Sequence, residues 1–160
     1  MKKASLTCRT SSGEETIGLG QRCGACLQEG DVVALAGELG SGKTWFTKGL
    51  AMGLGVPREE VVTSPSFALL NVYEGRCTLF HMDVYRLGSA FDFLAAGLDE
   101  YLHGSGVTVV EWADRWPELL PERHLEVRIE ILDENSREIT FSECHPKAVR
   151  ILKEMEMEVG

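Results

Sequence analysis

The chain has 160 residues and a formal net charge of −9, with ordinary apolar and charged fractions for a water-soluble protein. That length suits one domain, 1–160, able to bury a core without disulfide or metal staples. The acidic balance excludes a protein that holds DNA or tRNA on a basic surface, because a polyanion is repelled at long range.

Lys2 and Lys3 near the start are followed by no apolar signal-peptide core, and no run is long enough to cross a bilayer. A cytoplasmic location without membrane association is the expectation. Ser5 to Arg9 reads as a short edge strand. Ser12-Gly13-Glu14-Glu15 is a capping-box pattern. It opens a glycine-bearing helix over Thr16 to Leu27, with Ile17, Gly20, Cys23 and Leu27 on its packing side and Gly30 beyond its end. The five cysteines stand at 8, 23, 26, 77 and 144. Cys23 and Cys26 form a single C-x-x-C on this helix, with no second pair at metal-site spacing. Small buried hydrophobes in a reducing compartment therefore explain them better than zinc or redox chemistry.

Val32 to Ala36 is a short apolar run after Gly30-Asp31, the pattern of a buried strand. Gly37-Glu38-Leu39-Gly40-Ser41-Gly42-Lys43-Thr44 follows and matches G-x-x-x-x-G-K-[ST], the Walker A phosphate loop. A helix comes next, with Phe46, Leu50 and Leu54 on one face. Strand, glycine-rich loop and helix are the context this motif requires. Backbone amides wrap the phosphates, so the loop needs glycines that accept unusual dihedrals and allow close approach. The helix N-terminus adds its positive dipole end. Lys43 would reach the β- and γ-phosphates, and the Thr44 hydroxyl would ligate Mg²⁺. The candidate nucleotide contacts run from Gly37 through Trp45. The preceding helix either packs near the nucleotide base or only covers the sheet.

Val61 to Phe67 is a hydroxyl-rich turn, held extended before Pro65. Ala68 to Tyr73 and Cys77 to Tyr85 alternate as strands across Glu74-Gly75, a hairpin signal. An antiparallel hairpin directly after the first nucleotide helix differs from the repeated βαβ winding of most nucleotide kinases. Alternation places His81, Asp83 and Tyr85 on one face. Asp83 fits either the solvated side of a strand or a functional acid. Ser89 to Leu102 reads as a helix with Phe93, Leu94, Leu98 and Leu102 facing the core. Val107 to Trp112 is a buried strand ending in Glu111, the form of a Walker B segment whose carboxylate holds Mg²⁺ across from the phosphate loop. The alternative for Glu111 is an acid at the first exposed position after a core strand. Ala113 to Leu120 reads as a short helix ended by Pro121. Leu125 to Leu132 and Arg137 to Ser142 make a second hairpin. Pro146 opens an amphipathic helix with Val149, Leu152, Met155 and Val159 along one side.

G-E-L-G-S-G-K-T (37–44), T-S-P-S-F (63–67), H-M-D-V-Y-R-L (81–87) and V-V-E-W (109–112), in this order and spacing, resemble the TsaE family. Those are small bacterial ATPases of tRNA threonylcarbamoyladenosine biosynthesis. The resemblance covers nearly the whole chain. It implies an α/β, P-loop NTPase-like three-layer fold whose mixed central sheet carries antiparallel hairpins and is flanked by helices. It also implies ATP and Mg²⁺ as cofactors and a TsaD–TsaB complex as partner. TsaD transfers the threonylcarbamoyl group to tRNA, so tRNA is met only indirectly. On this chain Gly40 to Thr44 would bind phosphates, and Thr44 and Glu111 would hold Mg²⁺. Lys43, Asp83 and Glu111 form the catalytic set. Thr63, Ser64 and Ser66 belong to a switch-like loop, and Trp112 is a packing or partner residue. Trp45 departs from the small hydroxyl residue common after the Lys-Thr pair.

Two other classes compete with an ATPase. A small-molecule kinase would need an acceptor site and usually an arginine-rich lid, whereas Arg86, Arg115 and Arg123 are scattered. A nucleotide-binding interaction module that does not hydrolyse is the other. A GTP-dependent switch would need Asn-Lys-x-Asp, which is absent from the sequence.

Overall fold

The computed structural model describes residues 4–38, 40–65, 69–143 and 146–159. The strands are β1 (Ala4–Thr10), β2 (Val32–Gly37), β3 (Leu70–Glu74), β4 (Thr78–Asp83), β5 (Val107–Glu111), β6 (Leu125–Ile131) and β7 (Arg137–Glu143). The helices are α1 (Gly13–Cys26), α2 (Lys43–Gly53), α3 (Ala90–Ala95), α4 (Asp99–Leu102) and α5 (Pro146–Val159). All seven strands join one sheet in the order β1-β7-β6-β2-β5-β4-β3. β2 runs parallel to both β5 and β6, and β4 parallel to β5. The β3–β4 and β6–β7 hairpins and the β1–β7 pair are antiparallel, which makes the sheet mixed.

β2 is central and buried on both faces, which is why Val32 to Ala36 is an unbroken apolar run. Val33 and Leu35 enter a core with Phe46, Leu50 and Leu54 of the α2 region, Cys23 of α1, and Ile151 and Met155 of α5. Val32 and Ala34 enter a second core with Met82, Phe93, Leu98, Leu102 and Val110. Helices thus cover both faces of the sheet, the second through short elements.

α1 and α2 lie against each other backbone to backbone. A Cβ on Gly20 or Gly24 would overlap the Phe46 or Leu50 carbonyl. One on Gly49 or Gly53 would overlap the Ile17 or Gln21 carbonyl. Glycines four apart on each helix therefore form the contact, and they fix where α2 starts relative to the sheet. The Ser12 hydroxyl accepts from the Glu15 amide at 3.1 Å, as the capping pattern predicts. The Glu15 carboxylate closes back on the Ser11 amide, one residue earlier than in the usual box.

Several expectations need correction. The helix expected over Ser89 to Leu102 is two short helices, α3 and α4, separated by Gly97 at φ +74°. Its partial unwinding turns Leu94 outward to 49% exposure, while Phe93, Leu98 and Leu102 stay in the core. Ala113 to Leu120 is a pair of 3₁₀ turns, Ala113–Arg115 and Pro117–Leu119, because Pro117 has no amide to continue the first. β4 ends at Asp83, where the Leu87 amide folds back onto the Val84 carbonyl, so Tyr85 lies beyond the strand. On α1, Leu19 rather than Ile17 is fully buried. Cys23 and Cys26 are buried in the α1–α2 core.

Candidate nucleotide-binding site

Between β2 and α2 the chain makes a tight loop. A side chain at Gly37 would strike Ser41 Oγ at 2.6 Å and the Ile129 carbonyl at 2.8 Å. Gly42 caps α2 in the left-handed region at φ 109°, a conformation that favours glycine. The Ser41 amide donates to the Glu38 carbonyl at 3.0 Å. Lys43 folds over the loop and donates from Nζ to the Gly37 carbonyl at 2.6 Å. Its ammonium also lies 3.7 Å from the centre of the Trp112 ring.

The parallel pairing of β2, β5 and β4 sets Leu35, Glu111 and Asp83 side by side. Both acids therefore stand at strand C-terminal ends, level with the residue two before the loop begins. Neither is on a solvated face: Asp83 is 4% and Glu111 2% exposed. Burying a carboxylate requires hydrogen-bond partners. Asp83 Oδ1 accepts from the Tyr85 amide and Oδ2 from the Ser64 hydroxyl, each at 2.9 Å. Glu111 Oε2 lies 2.7 Å from His81 Nε2.

A cavity of about 480 Å³ opens between loop and acids. Gly40, Gly42, Lys43, Thr44, Trp45, Ser64, Asp83, Glu111 and Trp112 line it, joined by Tyr85 and Arg86. The side chains expected from the sequence to act together thus converge. Four described positions do not join them. Gly37 and Glu38 lie along a neighbouring groove with Arg128 and Ile129, Ser41 is fully buried, and Thr63 is held on the hairpin through Asn71 and Tyr73. Leu39 and Ser66 fall outside the described residues.

Trp112 adopts φ 65°, a left-handed conformation that costs a bulky residue on the order of 1–2 kcal/mol. Its ring packs on Tyr85 with centroids 4.9 Å apart, and its amide is bound to the Leu35 carbonyl. The strained turn after β5 is what lays the indole over Lys43. Such strain concentrates at functional sites.

Three site features were not assigned roles from the sequence. Alternation did put His81 beside Asp83, but its pairing with Glu111 depends on the β4–β5 register. Tyr85 enters the cavity because the chain turns after Asp83. Arg137 comes from β7 and donates from Nε to the Ser41 carbonyl at 2.9 Å. No local signal marked it, since 96 residues separate the two.

The family model for "Threonylcarbamoyl adenosine biosynthesis protein TsaE" matches residues 10–139. The chain belongs to the TsaE family. The matched span takes in the loop, both acids, Ser64 and Trp112. Among TsaE relatives, that of Treponema pallidum is 47% identical over 137 residues, covering 86% of this chain and all of that protein. That of Bacillus subtilis is 46% identical over 138 residues, covering 86% of this chain and 85% of the relative. The crystal structure of Bacillus subtilis YdiB superposes with a TM-score of 0.86 at 37% identity, covering 100% of this chain and 99% of that one. The mixed seven-stranded sheet flanked by helices is therefore shared with a solved structure. Among the described residues, no helix is long and apolar enough to cross a membrane.

Proposed function

We propose that this TsaE chain is an ATP-binding and ATP-hydrolysing component of tRNA threonylcarbamoyladenosine biosynthesis, acting as one cytoplasmic domain on a TsaD–TsaB complex. The observation that carries the reading is the placement of two buried carboxylates, Asp83 and Glu111, across one cavity from Lys43 and Thr44. The acidic charge supports tRNA contact through partners rather than directly.

The donor chemistry at the cavity wall suits Mg²⁺, a hard cation that takes hydroxyl and carboxylate oxygens. Thr44 and Glu111 would hold it, and Mg²⁺ when bound neutralises charge on the β- and γ-phosphate oxygens. The loop amides from Gly40 to Thr44 bind phosphate. Lys43 exchanges the Gly37 carbonyl for phosphate oxygens and supplies charge where the transition state needs it. Asp83, held from two sides, orients water at the hydrolytic end. Through Ser64 it is tied to residues 63–65, a route by which phosphate release would alter the segment expected to act as a switch.

The test is ATP and GTP binding and turnover, with and without TsaD–TsaB. The expected result is ATP binding by the chain alone, slow hydrolysis, and faster hydrolysis with the partners. Turnover that requires a small-molecule acceptor would support a kinase. Binding with no turnover even with the partners would support an interaction module.

A further inference from the structure

Among the described residues, the guanidinium of Arg137, the first residue of β7, donates to backbone carbonyls. Nε donates to Ser41 at 2.9 Å and Nη2 to Gly40 at 3.4 Å, both within the phosphate loop. Nη1 donates to Asp133 at 2.9 Å and Ser136 at 3.0 Å, in the turn between β6 and β7. That turn is itself built: the Asp133 carboxylate accepts the Asn135 and Ser136 amides at 2.9 and 2.8 Å. The arginine is thus fixed at one edge by the hairpin and presents the other edge of its planar fork to the loop.

We infer that Arg137 is a positioning residue for phosphate binding, clamping the Ser41 carbonyl outward so that the Gly42 amide is aimed at the anion. In a trans peptide the carbonyl and the amide point in opposite directions. Holding the Ser41 carbonyl toward Arg137 turns the Gly42 amide to the other side, and Gly42 lines the cavity. A carbonyl engaged by a cation also polarises its peptide, which strengthens the amide as a donor. Without the clamp, left-handed glycines at 40 and 42 leave these peptides free to rotate. Arg137 further adds a second positive charge behind a loop whose motif contains only Lys43.

This inference rests on the nucleotide reading above, and one binding experiment separates the two. Mg·ADP is titrated by calorimetry into the wild type, Arg137→Ala, Arg137→Lys and Leu132→Gly. The last loosens the turn that holds Nη1, where the Leu132 amide bonds the Ser136 carbonyl, and keeps the Nε and Nη2 donors that face the phosphate loop. Loss of a charge-assisted clamp predicts that Arg137→Ala weakens binding about tenfold. Arg137→Lys, which keeps the charge and loses the fork, is expected to fall between it and the wild type. Leu132→Gly, which retains the arginine that faces the loop, is expected to weaken binding less than Arg137→Ala does. In nucleotide-free protein the Gly42 amide resonance shifts further in Arg137→Ala than in Leu132→Gly. Wild-type affinity in Arg137→Ala overturns the inference, as does equal weakening by Leu132→Gly. Should Arg137→Ala fail to fold, wild-type affinity in Arg137→Lys overturns it. A wild-type chain that binds no Mg·ADP overturns the nucleotide reading itself and this inference with it.

Discussion

His81 Nε2 and Glu111 Oε2 meet at 2.7 Å, with the imidazole fully buried and the carboxylate 2% exposed. The other ring nitrogen, Nδ1, has no partner among the described residues. The ring's polar function is therefore spent on Glu111, an acid at the end of a neighbouring strand. Such a contact fixes a carboxylate's orientation before a metal arrives.

Removing the ring should cost twice. His81→Ala leaves a buried carboxylate short of a hydrogen bond, worth about 1–3 kcal/mol of stability. It also frees Glu111 to rotate, so more Mg²⁺ should be needed for half-maximal ATP turnover. Thermal melts and a Mg²⁺ titration of turnover check both effects; an unchanged Mg²⁺ requirement would show that Glu111 needs no such support.

The two acids should fail differently. Glu111→Ala is expected to weaken Mg²⁺-dependent ATP binding by removing a ligand. Asp83→Ala should leave ATP binding largely intact and slow hydrolysis, and Ser64→Ala should resemble it in a milder form because Ser64 bonds Asp83. ATP dissociation constants with and without Mg²⁺, measured beside turnover, separate the variants. Identical defects in Glu111→Ala and Asp83→Ala would contradict the division of roles.

The phosphate loop was legible because its residues are contiguous and each type answers a local demand: glycine for dihedrals, lysine for charge, threonine for its hydroxyl. Glu111 was legible as a strand-end acid and Asp83 as an acid within a strand read on to Tyr85, but their burial side by side was not, since it depends on β4 and β5 pairing in register beneath the loop. Arg137 was invisible for the same reason, reaching the loop only after β6 inserts between β7 and β2. Helix periodicity overran at Gly97 and Pro117, where backbone chemistry outweighed the apolar spacing.

The glycines of α1 and α2 give a prediction of opposite signs. A Cβ on Gly18 would meet nothing within 4 Å, so Gly18→Ala should stabilise the protein by about 0.5–1 kcal/mol through helix propensity. Gly49→Ala would drive a methyl into the Ile17 carbonyl, and the forced separation should cost about 1–3 kcal/mol or more. Denaturant melts of both variants decide it. Stabilisation by Gly49→Ala would contradict the close helix contact.

Burial pushes the Cys23 thiol well above its ordinary range, with Cys26 and Asp31 adding to the shift. The unfolded thiol ionises near pH 8.5, roughly, while the folded one stays protonated. The associated stability is therefore whole below that pH and falls as pH rises above it. Cys23→Ala should flatten the decline above about pH 9, as read by melting temperature against pH. A thiol reagent at neutral pH should modify Cys23 only after unfolding; ready modification of the folded chain would refute its burial.

The central claim is that the loop and the acids facing it form an ATP-hydrolysing site. Its most direct test is ATP turnover by the wild type and Lys43→Ala in the presence of TsaD–TsaB. In the proposed site Lys43 would supply positive charge to the phosphates, and loss of one such electrostatic contact typically costs about 10²–10³ in rate. The account predicts a fall of that order in Lys43→Ala, with its melting temperature close to that of the wild type. Wild-type turnover in a folded Lys43→Ala protein would contradict it.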